Sequence, residues 1–225
     1  MRRLVALLAT VLMGTASLAA CSSDSGSTSS PGSNASTPLA RPVEGSVEAG
    51  FARDMSVHHA QAVAMAEAIR DRTTDPDLKL LATDIALGQQ GQIGRMSGWL
   101  DEWGLNQTST ATPMAWIRSD NLVSGSGGGM DMGGDTMTLT ADGRMPGMAT
   151  RPQVTALRTL PIAQAEISFL QLMIAHHTAG VAMAQAALAR TNRPDVIRLA
   201  TSIINGQQAE VTVMTDMLAK RGATP

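Results

Sequence analysis

The chain has 225 residues and 44% apolar side chains, yet only 2% aromatics and no tyrosine, so its core has to be built from Ala, Leu, Ile, Val and some of fifteen methionines. A formal net charge of −2, with 17 basic against 19 acidic side chains, speaks against nucleic acid as a partner. The single cysteine, Cys21, excludes an internal disulfide framework.

Residues 1–20 read as an export signal: Arg2 and Arg3 precede a short apolar stretch that ends in small residues. Leu18-Ala19-Ala20-Cys21 has the form of a bacterial lipobox, which predicts lipidation of Cys21 and anchoring to the outer face of the cytoplasmic membrane. Loss of the signal removes two arginines and no acid, leaving 15 basic and 19 acidic side chains. Lipidation also leaves no free thiol, so soft-metal chemistry would fall to methionine and histidine. Residues 21–46, rich in Ser, Gly, Thr and Pro, cannot bury enough apolar surface to order themselves and read as a tether.

Residues 47–103 then read as a helical hairpin. One helix is expected from about Val47 to Arg72. Asp75 as a cap and Pro76 at the first helical position start a second, which runs to about Trp103. Residues 104–152 form a Gly- and Met-rich connector, longer than most loops in compact domains. Residues 153–225 repeat the hairpin, with helices from about Pro161 to Arg190 and from Pro194 to about Lys220, and with Asn192 or Arg193 at the intervening cap.

The halves align without gaps at an offset of 118, so that "FARDMSVHHAQAVAMAEA" from Phe51 matches "FLQLMIAHHTAGVAMAQA" from Phe169. Glu48 pairs with Glu166, Met55 with Met173, His58 and His59 with His176 and His177, and Met65 with Met183. Downstream, Gly88-Gln89-Gln90 pairs with Gly206-Gln207-Gln208, and Met96 with Met214. A lone hairpin buries its apolar stripe poorly, so the fold class is all-α, a pseudo-symmetric four-helix bundle of two hairpins. Gly88 and Gly206 are expected to let helices approach closely.

All four histidines of the chain fall in the two matched pairs. At about 100° per residue, Met55, His58, His59 and Met65 lie on one helical stripe that Glu48 joins two turns earlier, and Glu166, Met173, His176, His177 and Met183 repeat it. On the following helices Gln92 and Met96 share a face, as do Glu210 and Met214. Methionines at helical spacing are commonly core filler, but packing gives no reason for both halves to spend two histidines at the same place. The stripe is therefore read as a metal site, with Glu48, Gln92, Met96, Glu166, Glu210 and Met214 as further ligands or supporting groups. Thioether and imidazole donors without thiolate favour copper, Cu(I) before Cu(II).

Met130, Met132, Met137, Met145 and Met148 in the connector have two readings: capture of soft metal ions, or docking on the bundle. Asp54 could pair with His58 at i, i+4, but Leu172 holds the matching position, so Asp54 is read as solvated surface. No Glu-x-x-His, His-Glu-x-x-His, phosphate-loop or Gly-x-Ser-x-Gly motif occurs.

The pattern Met-x-x-His-His-x-x-x-x-x-Met-Ala at Met55–Ala66 and Met173–Ala184, with the "GQQ" of the following helices and "MPGM" before the second half, resembles the bacterial domain-of-unknown-function family 305. The resemblance covers about residues 47 to 220 and implies an exported, ferritin-like bundle associated with copper. It carries over at Met55, His58, His59, Met65, Met173, His176, His177 and Met183. The acidic residue expected after the glutamines is present as Glu210 but is Gln92 in the first half. The expected function is copper sequestration or delivery by an envelope lipoprotein, with no enzymatic activity implied and protein partners unassigned. Alternatives are a ferritin-like metal oxidase and a structural or partner-binding helical protein.

Overall fold

Ser46 opens the first helix by accepting a hydrogen bond from the Ala49 amide, and α1 runs Val47–Arg70. The computed structural model describes residues 39–117 and 137–225. Asp75 accepts from the amides of Asp77 and Leu78 and, with Pro76 behind it, starts α2, Pro76–Trp103. Gly104, at φ 73°, ends that helix in the left-handed conformation that glycine adopts without steric cost. After a 3₁₀ turn at Ala115–Ile117, Thr150 and Gln153 form a capping box at the head of α3, Arg151–Thr159. α4 spans Ile162–Leu188. α5 spans Pro194–Lys220, and its cap residue, Arg193, makes no side-chain capping bond. Among the described residues there is no strand.

The two hairpins, α1 with α2 and α4 with α5, meet mainly through α1 against α4, while α3 lies across those two helices. α1 and α4 run antiparallel, which divides the core into two clusters. One joins Val47, Phe51 and Met55 of α1 to Met183 and Ala187 of α4. The other joins Met65 and Ile69 of α1 to Phe169 and Met173 of α4. α4 is long and apolar enough to cross a membrane, but its apolar residues are what these clusters bury.

A reciprocal clasp fixes the ends. Thr191, in the turn of the second hairpin, donates to Glu48 Oε1 at 2.6 Å, and Thr73, in the turn of the first, donates to Glu166 Oε1 at 2.6 Å. Each turn thus grips the first helix of the other hairpin. Arg221 adds hydrogen bonds to Glu166 and an ion pair with Asp75 on one side only.

Three expectations change in three dimensions. Residues 151–159, unassigned in the sequence reading, form α3, because Leu157 finds an apolar site between the hairpins. Asp54 is half-buried rather than solvated, and accepts from the Met114 amide at 2.7 Å and Trp116 Nε1 at 2.8 Å. Burial raises its pKa against the pull of those bonds. It anchors the loop that seats Trp116 on α1, where a Cβ on Gly50 would stand 2.4 Å from Trp116 Cδ1. Lastly, Gly88 and Gly206 do not let helices approach, since a Cβ at either meets nothing within 4 Å.

Loss of Thr191 takes the hydroxyl donor from the part-buried Glu48 carboxylate. Thr191→Val is therefore expected to lower unfolding free energy by about 1–3 kcal/mol. Thr73→Val should cost less, because Glu166 keeps Arg221. Urea unfolding of both variants and of the double variant, which should be additive across the length of the bundle, checks this.

Candidate metal site

Each histidine pair sits near the middle of its helix, where α1 and α4 cross, and all four side chains are 0% exposed. The two members of a pair face different neighbours, because consecutive residues of a helix point about 100° apart. His58 and His176 turn toward each other, with ring centroids 3.7 Å apart and an interplanar angle of 31°. His59 and His177 turn toward the second helix of their own hairpins: His59 Nε2 donates to Gln92 Oε1 at 2.6 Å, and His177 Nε2 donates to Glu210 Oε2 at 2.8 Å.

Those bonds select the tautomer. With Nε2–H donating to an oxygen, the lone pair of a neutral imidazole lies on Nδ1. His58 Nε2 makes the same kind of bond, to the Pro146 carbonyl at 3.3 Å. Nδ1 of His58, His59 and His177 is buried without a partner, and His176 lacks one at both ring nitrogens. A buried polar atom left unpaired costs about 1–3 kcal/mol, so this layer is expensive for packing alone. Aiming unshared lone pairs into the interior, with the opposite N–H held by an oxygen, is how imidazole is prepared to bind a cation.

Burial also keeps three of these rings uncharged. It lowers the pKa of His58 to about 3 and of His59 to about 4, and holds that of His176 well below the usual imidazole range; the neighbouring histidines add to the shift for all three. Neutral rings can stack at the His58–His176 distance, where two imidazolium ions would repel.

Fully buried thioethers bracket the layer from both ends. Met55, Met96 and Met183 belong to the first core cluster, and Met65, Met173 and Met214 to the second. The offset of 118 converts one set into the other. Each set draws two methionines from one hairpin and one from its partner, a consequence of the antiparallel crossing. Among the described residues no three His, Cys, Asp or Glu side chains are arranged to hold a metal ion. The donors nearest in kind to these imidazoles are the flanking thioethers, whose sulfur is soft.

The structure thus buries His58, His59, His176 and His177 where α1 and α4 cross, with Met55, Met96 and Met183 in the cluster at one end, Met65, Met173 and Met214 in the cluster at the other, and Gln92 and Glu210 behind the outer histidines. Glu48 and Glu166 are not brought there: ten residues, about 15 Å of helix, separate each from its histidines, and the clasp threonines hold them. Met145 is buried, and Met137 and Met148 pack against the first cluster, so apolar packing accounts for all three. Met130, Met132 and Cys21 lie outside the described residues. The Pro146 carbonyl was not legible in the sequence, since a backbone acceptor has no side-chain signature. "MPGM" was the nearby signal, and it forms the wall of the site. Gly147, at φ 72°, lies so close to α4 that a Cβ would stand 2.6 Å from the Ala175 carbonyl and 3.1 Å from His176 Cα.

The sequence profile of DUF305, a domain of unknown function, matches residues 48–218. A crystal structure of a DUF305 protein from Streptomyces coelicolor, assigned as secreted, is 42% identical and superposes with a TM-score of 0.67, covering 81% of this chain and 98% of that one. CopM in its Cu(II)-bound form is 27% identical with a TM-score of 0.50, covering 76% of this chain and 94% of CopM; CopM has also been solved with Cu(I), with Ag and in the apo form. Protein L153 of Acanthamoeba polyphaga mimivirus is 44% identical over 52 residues, 23% of this chain, and the match spans about a third of that protein's length.

The pKa shifts set the sign of a pH dependence. A histidine whose folded pKa lies below its unfolded value stabilises the fold fully above the unfolded pKa, near 6.5, and loses that contribution as pH falls toward the folded value. His58 and His59 should therefore each remove about 2 kcal/mol of stability between pH 7 and pH 5. Chemical denaturation of the metal-free chain across that range should show the loss, and a His59→Gln variant should show a shallower slope.

Proposed function

The chain belongs to the DUF305 family, and on that footing we propose that it binds copper, Cu(I) in preference to Cu(II), and sequesters or delivers it outside the cytoplasm. The observation that carries this reading is the layer of buried imidazoles with unpartnered ring nitrogens, bracketed by two thioether sets. His58, His59, His176 and His177 supply nitrogen. Met55, Met65, Met173 and Met183 supply sulfur, with Met96 and Met214 beside them. Gln92 and Glu210 fix the outer rings by holding their N–H groups.

Ligand softness selects the metal. A site that pairs imidazole with thioether sulfur suits Cu(I) and Ag(I) and serves Zn²⁺ or Fe²⁺ poorly. A thioether is also not lost to disulfide formation where thiols oxidise. That agrees with the export signal and lipobox, by which Cys21 would anchor the chain to the outer face of the cytoplasmic membrane. Copper in the family member CopM supports the same assignment.

Anaerobic titration of the full chain with Cu(I) against a chromophoric competitor tests the reading. Replacing all four histidines with alanine should weaken binding by at least about 100-fold. Met→Leu changes at Met55, Met65, Met173 and Met183 keep core volume and remove only sulfur. They should lower Cu(I) affinity while leaving the urea midpoint nearly unchanged. Equal binding by both sets of variants would refute the assignment, and steady oxygen consumption on adding Cu(I) would replace binding with oxidase chemistry.

A further inference from the structure

The histidine layer has no exposed atoms to speak of, so a metal ion needs a way in. On the α3 side the way is closed: Gly147 presses on the α4 backbone, the Pro146 carbonyl meets His58, and Gln61 ties the strap down through both of its bonds to Ala149. The two apolar clusters close the ends. The opposite side, between α2 and α5, differs. These two helices touch only slightly, and a cavity of about 50 Å³ lies between them, its wall made of Ile85 and Ile203 together with the polar side chains of Gln89, Gln92, Gln207 and Glu210 and with Gly88 and Gly206. That is room for more than one water molecule.

Two features of this cavity lack a packing explanation. Glycine inside a helix is destabilising, and it is usually repaid by a neighbour that needs the space. Yet a Cβ on Gly88 or Gly206 would meet nothing within 4 Å. The two glycines are equivalent under the offset of 118, whereas Gly91, Gly94 and Gly98 of α2 face Ala209, Thr212 and Asp216 at the matching places of α5. The second feature is the carboxamides. Gln89 and Gln207 are 4% and 3% exposed, and neither the nitrogen nor the oxygen of either side chain has a hydrogen-bond partner. Gly180 lies so close to Gln207 that a Cβ there would stand 2.3 Å from its Oε1, so the helix facing it makes room for the amide without bonding to it.

We propose that this seam is the port by which a soft monovalent cation reaches the histidines, with Gln89 and Gln207 as its inner lining. The glycines hold the mouth open. The carboxamide oxygens stand in for part of the ion's hydration shell as it leaves water. Gln92 and Glu210, part-exposed in the same wall, each hydrogen-bond to an outer histidine, so the path leads to the Nε2 edge of the rings that would take the ion. The inference rests on the copper reading above.

Gly88→Leu with Gly206→Leu should plug the mouth without disturbing the donors. Stopped-flow transfer of Cu(I) from a chromophoric complex to the full chain is expected to slow by about tenfold or more, with the equilibrium Kd within about threefold of the parent. The metal-free double variant should unfold at the same temperature as the parent or higher, because the new side chains occupy open space. Asp84→Trp with Ser202→Trp, on the exposed rim, obstructs the same opening without touching the glycines and should slow uptake in the same direction. Unchanged uptake rates in both double variants overturn the port alone, as does a large fall in the metal-free melting temperature of the leucine variant, since it would mean the seam is packed. A parent chain that takes up no Cu(I) overturns the port together with the copper reading.

Discussion

The arrangement depends on holding four imidazoles fully buried in the core with ring nitrogens that no protein group answers. Few interiors tolerate this, because each unpaired ring nitrogen subtracts from a stability that amounts to only about 5–15 kcal/mol for a whole domain. The molecule offsets the cost with two Ala- and Met-rich apolar clusters, one on either side of the layer, and with the threonine–glutamate clasps at its ends. Copper binding, if the donors take it, relieves the same debt, so metal affinity and fold stability would be coupled.

Duplication explains the symmetry of the solution. One hairpin carries a single histidine pair and its thioethers on one stripe, and it cannot close that stripe against itself. Two copies packed antiparallel do so, and each supplies sulfur to the other's end of the layer. The equivalence is incomplete. His59 has an amide behind it where His177 has a carboxylate, and the Pro146 carbonyl approaches His58 with no counterpart at His176. A carboxylate behind a ligating imidazole makes the ring more basic and better suited to a more highly charged ion, so the two halves offer related but unequal environments.

The architecture also separates tasks by side. α3 and the strap at Met145–Met148 seal one face of the α1–α4 pair with backbone contacts too close to admit any side chain at Gly147. The α2–α5 face is left thinly packed, with a small cavity between the two helices. On the proposed reading, rigidity on one side and a narrow opening on the other would let a buried donor set stay preorganised while remaining reachable, which a uniformly packed bundle would not allow.

Much of this was legible in the residues. The offset of 118 gave the hairpin plan. Asp75 and Pro76 gave the start of α2, and the confinement of every histidine to the repeat marked the site. These are local or periodic signals, and they survive folding because helix propensity, capping and facial periodicity act over a few neighbouring residues. What the residues could not reveal was which partners meet across the bundle. Glu48 and Glu166 share the stripe yet end on the turn threonines, since a helical face continues for many turns while a site occupies only one or two. Asp54 is anchored by a loop 60 residues away, α3 owes its existence to a gap between the hairpins, and Gly88 and Gly206 border open space instead of a close contact. Each of those outcomes was fixed by the antiparallel crossing of α1 and α4, a matter of long-range packing that one-dimensional spacing does not encode.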